Sequence, residues 1–144
     1  MNSSIFHTEH SKFYQEWTDI IENFDLTEPV TGIYKVFSIN ENGERMKINR
    51  LISFDSDGII YIGKSTNLGH RLGNLVNLLN NTTSTAKHPM GNRYQRIENL
   101  KKYFLVNRLR IEVEFCKNPR IREIDLIENY LQKHGEVPPL NNSH

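Results

Sequence analysis

Apolar and polar residues alternate along the chain in patterns that predict both helices and strands. Residues 9–25 carry apolar side chains every three to four positions, as expected for an amphipathic helix that buries Phe13 and Trp17. Apolar alternation and short β-branched or aromatic runs predict the strands. These are, in chain order, residues 31–39, 46–54, 59–62 and 109–116. An Asn-Gly turn signal after the first strand makes the second its expected hairpin partner or extension.

Three further helices are predicted after residue 65. The first has a leucine face, and Ser65 or Thr66 is expected to cap it. That face consists of Leu68, Leu72, Leu75 and Leu79. Residues 92–104 form a basic segment that is expected to be helical, and a last helix is predicted over residues 119–134. Its predicted buried stripe consists of Ile121, Ile124, Ile127 and Leu131.

Glu128 lies within that last stripe rather than opposite it. A carboxylate rarely occupies such a position unless it is paired or binds a cation. Two interpretations therefore stay open at this point: a structural ion pair, with Arg71 as the suggested partner, or a cation-binding group.

The composition is that of an ordinary globular domain, with 144 residues, 37% of them hydrophobic and 24% charged. No apolar run approaches the length of a membrane span, and the first residues have neither the basic start nor the apolar core of a signal peptide. The single Cys116 excludes an internal disulfide and a multi-cysteine zinc site. We therefore expect a cytoplasmic protein that does not associate with membranes.

Charge is distributed unevenly along the chain. The net charge is −5 over residues 1–63, +9 over residues 64–122 and −3 over residues 123–144. A basic segment of this kind is either a solvated face or a surface for a phosphate backbone. In the second case the candidate nucleic-acid-binding residues are Lys64, Arg71, Lys87, Arg93, Arg96, Lys101 and Lys102.

Two common binding motifs are poorly matched. Residues 58–65 fit the pattern G-x-x-x-x-G-K-S, but the variable positions hold Ile, Ile, Tyr and Ile, which belong in a strand rather than a flexible phosphate-binding loop. The histidines do not fall in zinc-ligand pairs apart from His7 and His10. No nucleotide cofactor is therefore expected. His88, beside a polar loop, is either a proton-transfer group or an exposed side chain.

Two tripeptides, Gly32-Ile33-Tyr34 and Tyr61-Ile62-Gly63, resemble the signature of the GIY-YIG nuclease family. Further matches are Lys64, Asn67-Leu68, Arg71-Leu72, Glu128 within LIENYL and Asn141 within PPLN, so that the resemblance covers residues 31–142. The tripeptides are separated by 26 residues, more than a minimal hairpin needs. Leu75 stands where the family often has Tyr or His, and His88 or Tyr94 is expected to supply that role.

The resemblance implies an α+β fold with a central three-stranded antiparallel sheet flanked by helices. On this basis residues 1–30 form an N-terminal helical extension and residues 31–144 form the nuclease domain. It also implies a restriction or phage-type endonuclease that hydrolyses double-stranded DNA with one Mg²⁺ or Mn²⁺ per site. Because one such site attacks one strand, a homo-oligomer is expected, with Phe13 and Trp17 as candidate contacts to a partner.

Four matched residues would then act on the phosphate and the attacking water. Tyr34 is expected to be the general base, with Lys64 lowering its pKa. Tyr61 is expected to orient water or phosphate. Arg71 is expected to neutralise charge that develops on the phosphoryl oxygens.

The two matched residues near the end of the chain would complete the site. Glu128 is expected to hold the metal, and Asn141 is expected to position the tail against the metal site. The alternative function is a catalytically weak DNA-binding module that keeps the fold. Leu75 favours that alternative, because it cannot handle a proton.

Overall fold

Residues 3–81 and 83–141 are described by a computed structural model, which is an α+β fold. The elements in chain order are β1 (Ser3–His7), α1 (His10–Asn23), β2 (Gly32–Ser38), β3 (Ile48–Asn49), β4 (Phe54–Asp55), β5 (Ile59–Ser65), α2 (Leu68–Asn80), α3 (Pro89–Arg96), α4 (Glu98–Tyr103), the 3-10 turn Val106–Arg108, β6 (Leu109–Phe115) and α5 (Pro119–His134). In this part of the chain no helix is both long and apolar enough to cross a membrane.

The main sheet has four antiparallel strands in the order β1-β6-β2-β5, one more than the family resemblance implies. The added strand is β1, which lies in the extension that was expected to be only helical. It pairs with β6 in a register that sets Phe6 opposite Ile111. Its partner lies near the other end of the chain, and a five-residue edge strand carries too little alternation to stand out in the sequence.

The predicted strands that became β2, β5 and β6 are confirmed, but the hairpin partner expected for β2 is wrong. Residues 46–54 contribute β3, which pairs with β4 in a separate two-residue hairpin. Only the start of this run returns to β2, through the bridge between Ile39 and Arg45 and a hydrogen bond from the backbone N–H of Met46 to the carbonyl oxygen of Ser38 at 2.9 Å. The pairing extends no further because β5 and β6 occupy both sides of β2 as far as Phe37.

One face of the sheet carries the larger core, built with α1, α2 and α3. The leucine face of α2 is buried as predicted. Its first turn is capped by Asn67, whose side chain accepts from the backbone N–H of His70, so the cap expected at Ser65 or Thr66 is wrong. Ser65 instead accepts from the backbone N–H of Asn67.

Helix α1 packs on the same core and confirms the predicted amphipathic helix. Phe13 and Trp17 contact Phe6 of β1, with ring centroids 5.8 Å and 5.6 Å from that ring. Both side chains are buried within their own protomer. Their expected role as contacts to a partner chain is therefore wrong.

Helix α5 covers the opposite face of the sheet, and its predicted stripe is confirmed only in part. Ile127 packs on this face, and Leu131 is half-buried. Ile121 and Ile124 are 62% and 54% exposed, whereas Tyr130 packs on Ile59 and Ile62 of β5. Tyr130 fixes the rotation of the helix, because its hydroxyl donates to the buried carboxylate of Asp55 at 3.0 Å. That carboxylate also holds the turn before β5, where it accepts from two backbone N–H groups.

Candidate functional site

Two tyrosines on neighbouring strands form the centre of the candidate site. Tyr34 of β2 lies opposite Gly63 of β5, and the rings of Tyr34 and Tyr61 have centroids 6.0 Å apart. A Cβ atom on Gly63 would lie 2.5 Å from Cζ of Tyr34 and 2.8 Å from Cε2 of Tyr61. Glycine is therefore required at this position because both phenol rings pack over its backbone.

The two phenols differ in their access to solvent, and both are held neutral. Tyr34 is 0% exposed, whereas Tyr61 is 7% exposed and lines a cavity. Burial raises the pKa of both hydroxyls, while the Arg71 guanidinium lowers the pKa of each through its charge and through hydrogen bonding. Arg71, rather than the Lys64 expected from the sequence, is the cation that acts on Tyr34. Hydrogen bonding from Tyr34 also lowers the pKa of Tyr61, by less than burial raises it.

His88 is fully buried against Tyr34. Of the two interpretations of this residue, the exposed side chain is therefore wrong. His88 caps α3, where its Nδ1 accepts from the backbone N–H groups of Met90 and Gly91 at 3.1 Å and 3.2 Å. Its Nε2 lies 2.6 Å from the hydroxyl of Tyr34. Because Nδ1 accepts, the neutral ring carries its proton on Nε2 and donates it to the oxygen of Tyr34.

His88 therefore holds Tyr34 but cannot take its proton in this tautomer. Burial first, and the nearby charge of Arg71 second, lower the pKa of His88 to about 3, which keeps the ring neutral. Leu75, at the position where a proton-handling residue was expected, is buried in the core. Tyr94, the other substitute considered, donates its hydroxyl to the carbonyl oxygen of Phe104 at 2.7 Å.

Two cavities open beside this tyrosine cluster, and their charges differ. The first, which we call the acidic cavity, has a volume of 470 Å³ and contains two carboxylates. Its lining includes Tyr61, Glu123, Glu128 and Asn141. The second, the basic cavity, has a volume of 670 Å³ and contains four cations. These are Lys64, Arg71, Lys117 and Arg120.

The acidic cavity contains the predicted Glu128 and a second carboxylate that sequence reasoning missed. Glu128 is exposed and accepts a hydrogen bond from Gln132 at 3.1 Å. Within residues 3–81 and 83–141 it forms no ion pair with Arg71, so that interpretation is wrong. Burial raises the pKa of Glu123, while the charges of Lys64 and Arg71 lower it. Glu123 was missed because only Glu128 matches the family signature, although Glu123 lies one helical turn before Ile127 on the same side of α5.

The two carboxylates are chemically suitable for a divalent cation. Mg²⁺ usually keeps several waters and binds proteins through one or two carboxylates together with substrate phosphate. Glu123 and Glu128 provide two, and the cavity between them has room for water. Across the described ranges no group of three or more His, Cys, Asp or Glu side chains comes together, which leaves this pair as the donor set to consider.

Asn141 closes the acidic cavity by binding the free edge of β5. Its side-chain oxygen accepts from the backbone N–H of Ile62, and its side-chain nitrogen donates to the carbonyl oxygen of Ile62, both at 2.9 Å. The backbone N–H of Leu140 donates to the carbonyl oxygen of Ile60 at 2.8 Å, so the tail lies along the edge of β5. Asn141 thus positions the tail, and both of its polar side-chain atoms are engaged in doing so.

Only two of the seven candidate nucleic-acid-binding residues lie at the cavities. Lys64 and Arg71 line the basic cavity. The others lie just before or on α3 and α4 and line neither cavity: Lys87, Arg93, Arg96, Lys101 and Lys102. Lys117 and Arg120 were missed, although both belong to the basic segment 64–122. The sum of charges identified the segment but could not tell which of its side chains face the site.

Comparison with known proteins does not place the chain in a family. No family model, no curated protein and no solved structure matches it. Its function must therefore be argued from its own residues.

Proposed function

We propose that this chain is a metal-dependent DNA endonuclease of the GIY-YIG type, a restriction or phage or mobile-element enzyme that acts in the cytoplasm. The observation that carries the proposal is the cluster of Tyr34, Tyr61, Arg71 and His88 between an acidic and a basic cavity. Metal-dependent phosphodiester hydrolysis needs a positioned water, a cationic side chain that binds the phosphate and a carboxylate that binds the metal. The cluster and its two cavities offer a group for each.

Tyr61 is the phenol that contacts the attacking water in this proposal. Tyr61 lines the acidic cavity. Tyr34 exposes no atom to solvent, so it cannot activate water directly, which differs from the role of general base that was expected for it. Tyr34 acts one step behind, because its hydrogen bonding favours deprotonation of Tyr61. His88 holds the oxygen of Tyr34 at 2.6 Å and so directs the proton of Tyr34 away from the imidazole.

Arg71 stabilises the charge that develops on the phosphoryl oxygens. In the part of the chain that the structure describes, it forms no ion pair with a carboxylate, so its charge is available to an anion. It also lines the basic cavity while acting on both phenols, which fits a group that spans phosphate and water. A preorganised donor of this kind is typically worth about 10²–10³ in rate.

Glu128, with Glu123 beside it, would hold Mg²⁺ or Mn²⁺. When bound, the ion polarises the scissile phosphate and stabilises the leaving oxygen. Asn141 keeps the wall of this cavity in place by binding the tail to β5.

A plasmid assay tests the proposed function. Purified protein is incubated with supercoiled DNA and Mg²⁺ or Mn²⁺, and the new ends are sequenced. We expect metal-dependent conversion to nicked or linear DNA by the unmodified protein and none by Tyr61→Phe. Supercoiled DNA that stays intact across pH and metal, yet is retarded on a gel, would instead identify a DNA-binding module. The complete burial of Tyr34 is the observation that favours this second function.

We also propose that the nuclease acts on duplex DNA as a homodimer. The two scissile phosphates of a duplex are related by a two-fold axis, which a symmetric pair of protomers matches. Light scattering of the DNA-free and DNA-bound protein tests this, with a dimer expected on DNA. A monomer in both states that releases only nicked circles would contradict it.

A further inference from the structure

The basic cavity has no role in the chemistry described so far beyond the part that Arg71 plays. One wall of the cavity is the corner between β5 and α2, with Lys64 and Arg71. The other wall is the junction between β6 and α5, with Lys117 and Arg120. The remaining lining residues are neutral, namely Ser65, Thr66, Asn118, Pro119 and Ile121. Within the described ranges no carboxylate contributes to the lining.

Among the residues that the structure describes, the four cations of this cavity are not held in ion pairs, although Lys64 and Arg71 lie near enough to Glu123 to lower its pKa. Arg122, only two positions after Arg120, shows the contrast: its guanidinium binds the carboxylate of Glu114 through two hydrogen bonds, at 2.7 Å and 3.0 Å. Four like charges around one concave surface create a field that concentrates anions.

The position of the cavity relates it to the proposed cleavage site. Arg71 lines the cavity and also acts on both tyrosines, so one guanidinium joins the two places. An anion held by Lys117 and Arg120 would therefore be a close neighbour of a phosphate held by Arg71. Repeating phosphates along one strand have this property, and an isolated phosphate does not.

We propose that the basic cavity binds the DNA backbone immediately beside the scissile phosphate, with Lys117 and Arg120 holding the neighbouring phosphate of the cleaved strand. This inference rests on the proposed function. It assigns to the β6–α5 junction the task of fixing the position of the strand, without reading its sequence. It also excludes the basic residues of α3 and α4 as the main DNA surface.

A binding experiment with matched double variants tests the inference. The test variant is Lys117→Gln/Arg120→Gln, and the control is Lys102→Gln/Arg96→Gln. Each removes one exposed lysine and one exposed arginine from the same basic segment, and thermal unfolding verifies that each remains folded. Affinity for a fluorescein-labelled duplex is measured by anisotropy in EDTA, at several salt concentrations and with two unrelated sequences.

We expect the affinity of the test variant to fall about tenfold or more, equally for both sequences, and that of the control to fall less than about threefold. The slope of log K against log salt should decrease by about one for each phosphate that the protein no longer binds, again only in the test variant. Restoring the charges as Lys117→Arg/Arg120→Lys should restore binding. Equal reductions in the two variants, or a larger reduction in the control, would overturn the inference.

Failure of this inference can be distinguished from failure of the proposed function. If the unmodified protein cuts plasmid DNA and the two double variants bind DNA alike, the proposed role of the basic cavity is refuted and the proposed nuclease activity is not. Protein that never cuts, but whose DNA binding is weakened only in the test variant, would support the cavity and refute the nuclease.

Discussion

The two faces of the sheet differ in how tightly they are packed, and the groups of the proposed site divide between them. The face with α1, α2 and α3 has a deep core in which Leu72, Leu75 and Met90 are fully buried. The face with α5 buries few side chains and leaves two isoleucines of that helix exposed. Tyr34 and His88 belong to the packed face, whereas the carboxylates and the added cations belong to α5 and the residues just before it.

This division follows from what each group must do. A neutral hydrogen bond between Tyr34 and His88 gains direction from rigid packing, and it needs no solvent. Carboxylates and guanidinium groups must remain hydrated until a ligand replaces the water, because burying an unpaired charge is costly. Substitutions on the packed face should therefore affect stability and activity together, whereas substitutions on the face of α5 should affect activity alone.

Glu128→Ala is expected to have the largest effect and to separate activity from stability. It should abolish metal-dependent cleavage while the free energy of unfolding changes by no more than about 0.5 kcal/mol, because the side chain is exposed and, among the residues described, its hydrogen bond is to Gln132. Cleavage assays and urea unfolding measure the two quantities. Asp125→Ala, also exposed on α5 but outside both cavities, is the matched control and should cleave normally. A markedly lower stability with cleavage retained would show Glu128 to be structural.

Tyr34→Phe should damage both properties, because it lies on the packed face. Removing the hydroxyl leaves the Nε2–H of His88 buried without an acceptor, which costs about 1–3 kcal/mol in the free energy of unfolding. Cleavage should fall by about 100-fold or more, since Tyr61 loses its hydrogen-bond partner. Tyr103→Phe, at an exposed tyrosine, is the control and should match the unmodified protein. Unchanged stability would argue against the described histidine tautomer.

Gly63→Ala tests whether the rings of Tyr34 and Tyr61 pack directly over the backbone of Gly63. The new methyl group must displace both rings, and overpacking of this kind costs about 1–3 kcal/mol. Cleavage should fall along with stability, whereas DNA affinity measured in EDTA should not. Gly32→Ala is an informative comparison, because its Cβ would clash first with the backbone carbonyl oxygen of Glu114 and only then with the side chain of Leu68, away from both phenol rings. A Gly63→Ala protein as active as the unmodified one would contradict the described ring packing.

The last effect concerns pH and vanishes near neutrality. His88 has a pKa of about 3 in the folded state and an ordinary pKa near 6.5 once unfolded, so it is neutral in both states at higher pH. Below about pH 6.5 only the unfolded state gains this proton, and stability falls by up to about 1.4 kcal/mol per pH unit as the pH drops towards 3. In His88→Asn the asparagine side chain can still cap α3, but the loss of stability that His88 causes between about pH 6.5 and pH 3 should be absent. Urea unfolding at several pH values measures it, and identical slopes in the two proteins would refute it.

The sequence predicted those elements whose pattern is strong and local. Strands β2, β5 and β6 and helices α1 and α2 follow from alternation and apolar periodicity, and the tyrosines and Arg71 were selected because they match the GIY-YIG signature. The apolar stripe of α5 was predicted only in part: Ile127 packs on the sheet as expected, but the bond between Tyr130 and Asp55 accompanies a rotation of the helix that leaves Ile121 and Ile124 exposed.

The partnership of His88 with Tyr34 was equally out of reach of sequence. The two residues are 54 positions apart, and their contact depends on how α3 docks on the core. Even the tautomer depends on tertiary structure, since Nδ1 is fixed by two backbone N–H groups of α3. Lys117 and Arg120 became distinguishable from other basic residues only when the cavity was known.

Single-turnover cleavage by the unmodified protein and Tyr61→Phe, with DNA affinity measured on the same two preparations, tests the central claim most directly. Tyr61 is the phenol that lines the acidic cavity, so removing its hydroxyl should remove the contact to the attacking water. We predict metal-dependent cleavage by the unmodified protein, at least about 100-fold slower cleavage by Tyr61→Phe, and equal DNA affinity for both. Cleavage at equal rates, or no cleavage by the unmodified protein with either Mg²⁺ or Mn²⁺, would contradict the account.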